Sequence, residues 1–225
     1  MRSLAEIADA AVRVFTDKGF RQAGISDVAA ALGLSHGAVY TYVDSKQALL
    51  YLALLRAMRP DAVSMLKIPV TARPPHALVD VAEEWVGKQI AAAAVAPAPD
   101  HPARRPAAQE LADLIDVQYG FVERHRQVLE LVGRCAEDVP ELAQWFYVRV
   151  RRSNLEMLGE FLRNRIESGE LASVPDVPAA ARFIVETIAW FAMHRYGDPD
   201  SGMLDDDACR RTVHHLLLAA FLPKQ

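Results

Sequence analysis

A chain of 225 residues, 52% of them hydrophobic, is long enough to bury a substantial core in one or two domains. The formal net charge of −4 excludes a strongly basic protein, and two widely separated cysteines, Cys135 and Cys209, exclude a disulfide framework. Abundant alanine, without runs of valine and isoleucine alternating with polar residues, predicts an all-α fold.

No apolar run, Ile90 to Ala96 included, is long enough to span a bilayer. The opening residues alternate charged and apolar groups with helical period, unlike a secretory leader. The expectation is a cytoplasmic protein with no membrane partner. Charge is unevenly divided: residues 1–59 hold seven Lys/Arg against five Asp/Glu, and residues 60–225 hold eighteen against twenty-four. A slightly basic N-terminal unit on an acidic body points to an anionic partner at one end.

In chain order, Leu4, Ile7, Ala8, Ala11, Val14 and Phe15 recur at helical spacing, and Gly19 ends that first helix. A second helix is expected from Ile25 to Leu32, with Gly24 as N-cap and Asp27 in its first turn. Gly33 supplies a turn, and Ser35 caps a third helix reaching Tyr42 or Val43. Asp44 and Gln47 read as a capping box opening a fourth helix, which ends before Pro60.

A loop from Pro69 to Pro75 precedes a fifth helix over His76 to Val95. The prolines of "PAPDHPARRP", residues 97–106, then forbid regular helix. Helical pattern resumes from Ala107 to about Ala136, with a break near Gly120. Two further helices start alike, at Asp138-Val139-Pro140 and Asp176-Val177-Pro178, where Asp can cap and Pro sits in the first turn. The first is read to Gly169 and the second to about Tyr196. A last helix covers Asp206 to Phe221.

On a helical wheel, Val39 and Val43 lie one turn apart and can seat the third helix on the first two. The opposite arc carries Gly37, Ala38 and Thr41, all small, with Tyr40 and Tyr42 on its flanks. A small outer face can sit deep in a major groove about 12 Å wide. Flanking tyrosine hydroxyls can then reach phosphates, and Lys46 adds charge at the start of the next helix. These features point to double-stranded DNA as the partner.

Residues 1–50 resemble the tetracycline-repressor (TetR) family of bacterial transcriptional regulators. The shared positions are Arg2, Ile7, Ala10-Ala11, Phe15, Gly19-Phe20, Ile25, Val28-Ala29 and Gly33-Leu34-Ser35, then Val39-Tyr40, Tyr42-Val43, Ser45-Lys46 and Leu49. The resemblance implies a helix-turn-helix DNA-binding domain over 1–47, joined to a larger helical domain over 48–225 for effector binding and dimerisation. It implies that Ser35, His36, Gly37, Ala38 and Thr41 face bases or adjoining backbone, while Tyr40, Tyr42 and Lys46 hold phosphates. Gly24 stands where the family usually has a phosphate-binding Thr, so Ser26 has to substitute. The third helix lacks Arg, Asn, Gln and Lys, so sequence preference should lean on DNA shape, with His36 as the one strong hydrogen-bonding reader. Arg2 is a candidate for the minor groove.

A regulator of this family carries an apolar cavity for a small molecule among its middle helices. Trp85, Phe121, His125, Trp145 and Phe146 are the candidate linings, with Gln89 as a polar contact. For a two-fold DNA reader, the helices holding Leu155, Leu158 and Leu162, and Phe183, Ile184, Trp190 and Phe191, are assigned to a homodimer interface of four helices. The implied function is an effector-responsive repressor at a palindromic operator, needing no cofactor and no metal. The fourth helix, joining reader to body, is the expected lever.

An enzyme is disfavoured. His214-His215 beside Asp205-Asp206-Asp207 does not converge, because adjacent helical residues point about 100° apart. No glycine-rich phosphate loop or HExxH is present. The alternative is a helical protein-interaction scaffold, whose binding would lack the steep salt dependence of phosphate contacts.

Overall fold

The computed structural model describes residues 2–94 and 105–223. Regular structure among these is helical throughout, apart from one isolated parallel bridge between Val43 and Val70. In order come α1 (Leu4–Gln22), α2 (Ile25–Leu32), α3 (His36–Val39) and α4 (Lys46–Met58), a 3-10 turn (Pro60–Met65), and α5 (His76–Ala94). Next are α6 (Ala107–Arg124), α7 (Arg126–Ala136), α8 (Pro140–Ala143), a π-helical segment (Gln144–Arg151) and α9 (Arg152–Glu167). Then α10 (Val177–Ala192), two 3-10 turns, and α11 (Asp206–Phe221) complete the chain. The proline-rich break expected over 97–106 lies, up to residue 104, outside the described residues. Contacts divide the chain into two compact units, residues 1–98 with 127–149 and residues 99–126 with 150–225.

In the first unit, Ser3 and Glu6 form a reciprocal capping box that starts α1. Helix α1 packs on α4, and Ile7, Ala8, Ala11 and Phe15 of α1 and Leu49, Leu52 and Ala53 of α4 are all at or below 1% exposure. Each large side chain buried this way contributes about 1.5–3 kcal/mol. Outside this seam, Arg56 donates to both carboxylate oxygens of Asp9, at 2.7 and 3.2 Å, tying α4 to α1.

In the second unit, α6, α9, α10 and α11 share a core that includes Leu111, Ile115, Leu162, Ile188 and Leu217. Arg195, 3% exposed, is satisfied on every side by the Phe191 and Leu204 carbonyls, the Tyr196 hydroxyl and the Asp206 carboxylate.

Several local expectations change. The N-cap of α4 is Ser45, which accepts from the Ala48 N–H, whereas Asp44 turns to accept from the Ala72 N–H and the Ser45 hydroxyl. Helix α3 stops after four residues, and Thr41 donates its hydroxyl to the Ala38 carbonyl. The break after Ala107 falls at His125, which ends α6, and leaves Gly120 inside the helix. The helix expected as one piece from Asp138 to Gly169 is α8, a π-helical segment and α9 in succession. Helix α10 ends at Ala192, where 3-10 turns follow.

Five of the seven residues assigned to the interface lie in or against the core of their own chain. Leu158, Leu162 and Ile184 are at most 8% exposed inside the core of their own chain, and Leu155 and Phe191 pack against that core. The three buried side chains leave almost no surface for a partner, whereas Leu155 and Phe191 are half-buried. Phe183, at 59% exposure, and Trp190, at 37%, remain outside, so α10 is not buried all round.

Candidate nucleic-acid interface

The turn that presents α3 is built from backbone hydrogen bonds. Gly33 adopts φ 65°, and the N–H groups of Gly33 and Leu34 return to the carbonyls of Ala30 and Ala29 at 3.1 and 2.9 Å. This closure of a helix C-terminus needs a left-handed residue, which glycine supplies without a Cβ clash. Ser35 then accepts from the Ala38 N–H at 3.3 Å and starts α3. Val39, fully buried, fixes α3 to the core. Ahead of the turn, Gly24 donates its N–H to Asp27 at 2.7 Å, and Asp27 also receives the Lys18 ammonium at 2.7 Å. The Lys18 hydrogen bond, then the Gly24 N–H, hold the Asp27 carboxyl below its ordinary range.

The face left open is small and uncharged. Ser26, Ser35, His36, Gly37, Tyr40 and Thr41 are exposed, and Ala38 is half-buried. The His36 and Tyr40 rings, one turn apart, meet edge to face at 5.2 Å between centroids. A Cβ placed on Gly37 would meet no atom within 4 Å on the protein side, so the space beyond it is open.

Tyr42 departs from the expectation. It is 5% exposed and donates its hydroxyl to the Arg2 carbonyl at 2.8 Å, so it braces the start of α1 rather than facing outward. Arg2 is held too, by Glu6 at 2.8 Å and by the Leu32 carbonyl at 3.4 Å, and forms no extended arm. Lys46 is half-buried, with its ammonium 4.7 Å above the Phe20 ring and donating to the Arg21 carbonyl at 3.0 Å.

Two supports of this face had no signal in the sequence. One is the bridge in which the Val70 N–H donates to the Tyr42 carbonyl and the Asp44 N–H to the Val70 carbonyl, at 2.7 and 3.0 Å. The other is Asp138. Expected as a helix cap, it instead accepts the Arg21 backbone N–H at 2.7 Å, 117 residues away, and leaves Val139 as the N-cap of α8.

The six expected cavity residues fall in both units. In the first, Trp85 and Trp145 are buried, Gln89 and Phe146 are half-buried, and the Trp145 and Phe146 rings lie 6.4 Å apart. In the second, the half-buried rings of Phe121 and His125 lie 4.8 Å apart, and burial, then Arg124, lower the His125 pKa. A groove of about 340 Å³ in the second unit, lined by residues including Ala179, Phe183, Ala220 and Phe221, contains none of the six. Among the described residues no cluster of His, Cys, Asp and Glu is arranged to hold a metal, and no helix is long and apolar enough to cross a membrane.

Residues 7–51 match the sequence model of the family described as bacterial regulatory proteins, tetR family. No curated protein sequence matches the chain. Solved structures match along nearly its whole length. The ketosteroid transcriptional regulator KstR2 of Mycobacterium tuberculosis is 17% identical, with a TM-score of 0.61 over 100% of this chain and 97% of its own. A tetR-family regulatory protein from Rhodococcus RHA1 is 19% identical, with a TM-score of 0.55 over 100% of both chains. The TetR-family regulator PfmR of Thermus thermophilus is 23% identical, with a TM-score of 0.54 over 95% of this chain and 97% of its own. At these identities the likeness is one of fold.

Proposed function

We propose, for a chain whose residues 7–51 carry the DNA-binding domain of the tetR family of bacterial regulators, that the protein is a dimeric, effector-responsive repressor. The observation that carries this reading is α3. It is short, presents a small open face, and is fixed by the Gly33 turn, the Ser35 cap and the buried Val39. A helix so thin on its outer side can approach base edges closely, with Tyr40 and Lys46 at its margins for phosphates. Ser26, at the start of α2, is a further phosphate contact in this reading.

The apolar side chains left outside support a two-fold partner. Phe183 and Trp190 lie two turns apart on one face of α10, which packs against α11, where Leu216 is 61% exposed. Faces of this kind on two adjacent helices form a four-helix interface with a second copy. The functional division is a reader over 1–47 and an effector-binding, dimerising body over 48–225, with an apolar small molecule as effector. The effector acts by binding better to the form whose two readers are wrongly spaced, and a coupling of about 1–3 kcal/mol lowers occupancy roughly 5- to 150-fold.

The test is selection from a randomised duplex library by the purified protein, followed by sequencing. An enriched palindrome, bound with a linear log–log loss of affinity on adding salt, is expected. Absence of enrichment at low salt would instead favour an interaction scaffold. Sedimentation of Phe183→Glu with Leu216→Glu is expected to show monomers where the parent shows dimers.

A further inference from the structure

The C-terminal end of α1 is gripped from two sides, and the two grips meet at one residue. From the corner between α7 and α8, Asp138 accepts the Arg21 backbone N–H at 2.7 Å and its carboxylate lies 3.3 Å from the Arg21 guanidinium. The Asp138 side chain is 11% exposed, whereas that of Arg21 is 82% exposed. The same corner sends Arg134 to the Lys18 carbonyl at 3.5 Å. From the DNA-facing side, Lys46 donates to the Arg21 carbonyl at 3.0 Å.

Between these contacts lies Gly19, with φ 75° and ψ 170°, a conformation open essentially to glycine alone. A Cβ on Gly19 would stand 3.2 Å from Asp138 Oδ2. The kink therefore brings the backbone of α1 against the carboxylate. The corner itself is firmly seated: the N–H groups of Asp138 and Val139 both return to the Cys135 carbonyl at 3.0 Å, and Cys135 is fully buried.

We infer that Asp138, seconded by Arg134, is a positioning residue for DNA binding: through Arg21 it sets where the Lys46 ammonium rests, without touching DNA. The inference rests on the regulator reading above and adds a second route from body to reader beside α4. A displacement of the α7–α8 corner pulls on the Arg21 N–H, and the next peptide, whose carbonyl holds Lys46, moves with it. The route runs wholly within the first unit, since residues 18–46 and 134–138 both belong to it.

Two readouts test it on the full chain. In the free protein, hydrogen exchange at the Arg21 amide is expected to accelerate at least about tenfold in Asp138→Ala and little in Asp138→Asn, whose amide oxygen still accepts from that N–H. Against the selected duplex, Asp138→Ala is expected to lose about three- to tenfold in affinity, with Asp138→Asn close to the parent. In a Lys46→Ala background, Asp138→Ala is expected to cost nothing further. Unchanged exchange at Arg21 overturns the clasp. Parent-like affinity of Asp138→Ala, or a loss fully additive to that of Lys46→Ala, overturns the positioning role. A parent protein that retains no duplex overturns the regulator reading and that role together, while exchange at Arg21 separately reports the clasp.

Discussion

The tripeptide Asp-Val-Pro occurs twice at the start of a helix, once in each compact unit, and the two copies behave differently. Asp176 accepts from the Ala179 N–H at 2.6 Å and caps α10. Asp138, with the same neighbours, turns away from its helix and takes a backbone N–H from α1. The two tyrosines beside the reader repeat the contrast: Tyr40 is open at 44% exposure, while Tyr42 is closed over the Arg2 carbonyl. Local sequence offers each group a hydrogen-bonding capacity. What lies opposite in the fold decides where that capacity goes, and so whether a residue serves its own helix or a distant one.

The largest effect that would sharpen the Asp-Val-Pro contrast comes from the receiving side. Gly19→Ala is expected to lower stability by about 1–3 kcal/mol in chemical denaturation, since it combines a strained backbone with a Cβ crowding Asp138. A smaller loss would mean that α1 can straighten and the clasp is dispensable to folding. Next come the two aspartates: Asp176→Ala and Asp138→Ala should each cost about 1 kcal/mol in thermal melts, a typical value for a lost cap or hydrogen bond. Only the second should also weaken DNA binding, and equal behaviour in binding assays would erase the distinction.

The tyrosines separate the same way. Tyr42→Phe is expected to lose about 1 kcal/mol of stability with its hydrogen bond. Tyr40→Phe should change stability by less than about 0.5 kcal/mol, yet weaken binding to all duplexes alike. A stability loss at Tyr40 would mean that its hydroxyl is structural too. The smallest effect is on pH. Asp27 has its carboxyl pKa lowered on folding, so the folded chain binds fewer protons there. Its contribution is complete above the ordinary value of about 3.9 and drains away as pH falls through the lowered folded value. Asp27→Asn should remove that part of the acid loss, and an unchanged acid limb in the variant would count against the Lys18 pairing.

What could be read in advance follows the range of the interactions. The Gly33 turn, the Ser35 cap and the Val39 seat depend on neighbours a few residues away, and spacing alone exposes them. Asp44 reads as a cap because Gln47 sits three residues on, but it accepts from the Ala72 N–H, which lies beyond α4 and the 3-10 turn. Leu158, Leu162 and Ile184 lie on apolar helix faces that their own chain buries. Periodicity identifies which side of a helix is buried, and two chains or one can do the burying. Phe183 and Trp190 fall on the face that a single chain leaves uncovered.

The Val43–Val70 bridge has a topological consequence. The chain leaves α3 at Val43, runs through α4 and the 3-10 turn, and is stitched back beside its own point of departure. Helix α4 thus lies in a noose whose knot sits under the reader, and the segment 66–69 is the last length of cord before the knot. Each doubling of the enclosed length by residues inserted there adds about 0.6 kcal/mol to the entropic cost of closing the ring. A chain lengthened at that segment keeps its reader intact in composition and holds it less firmly.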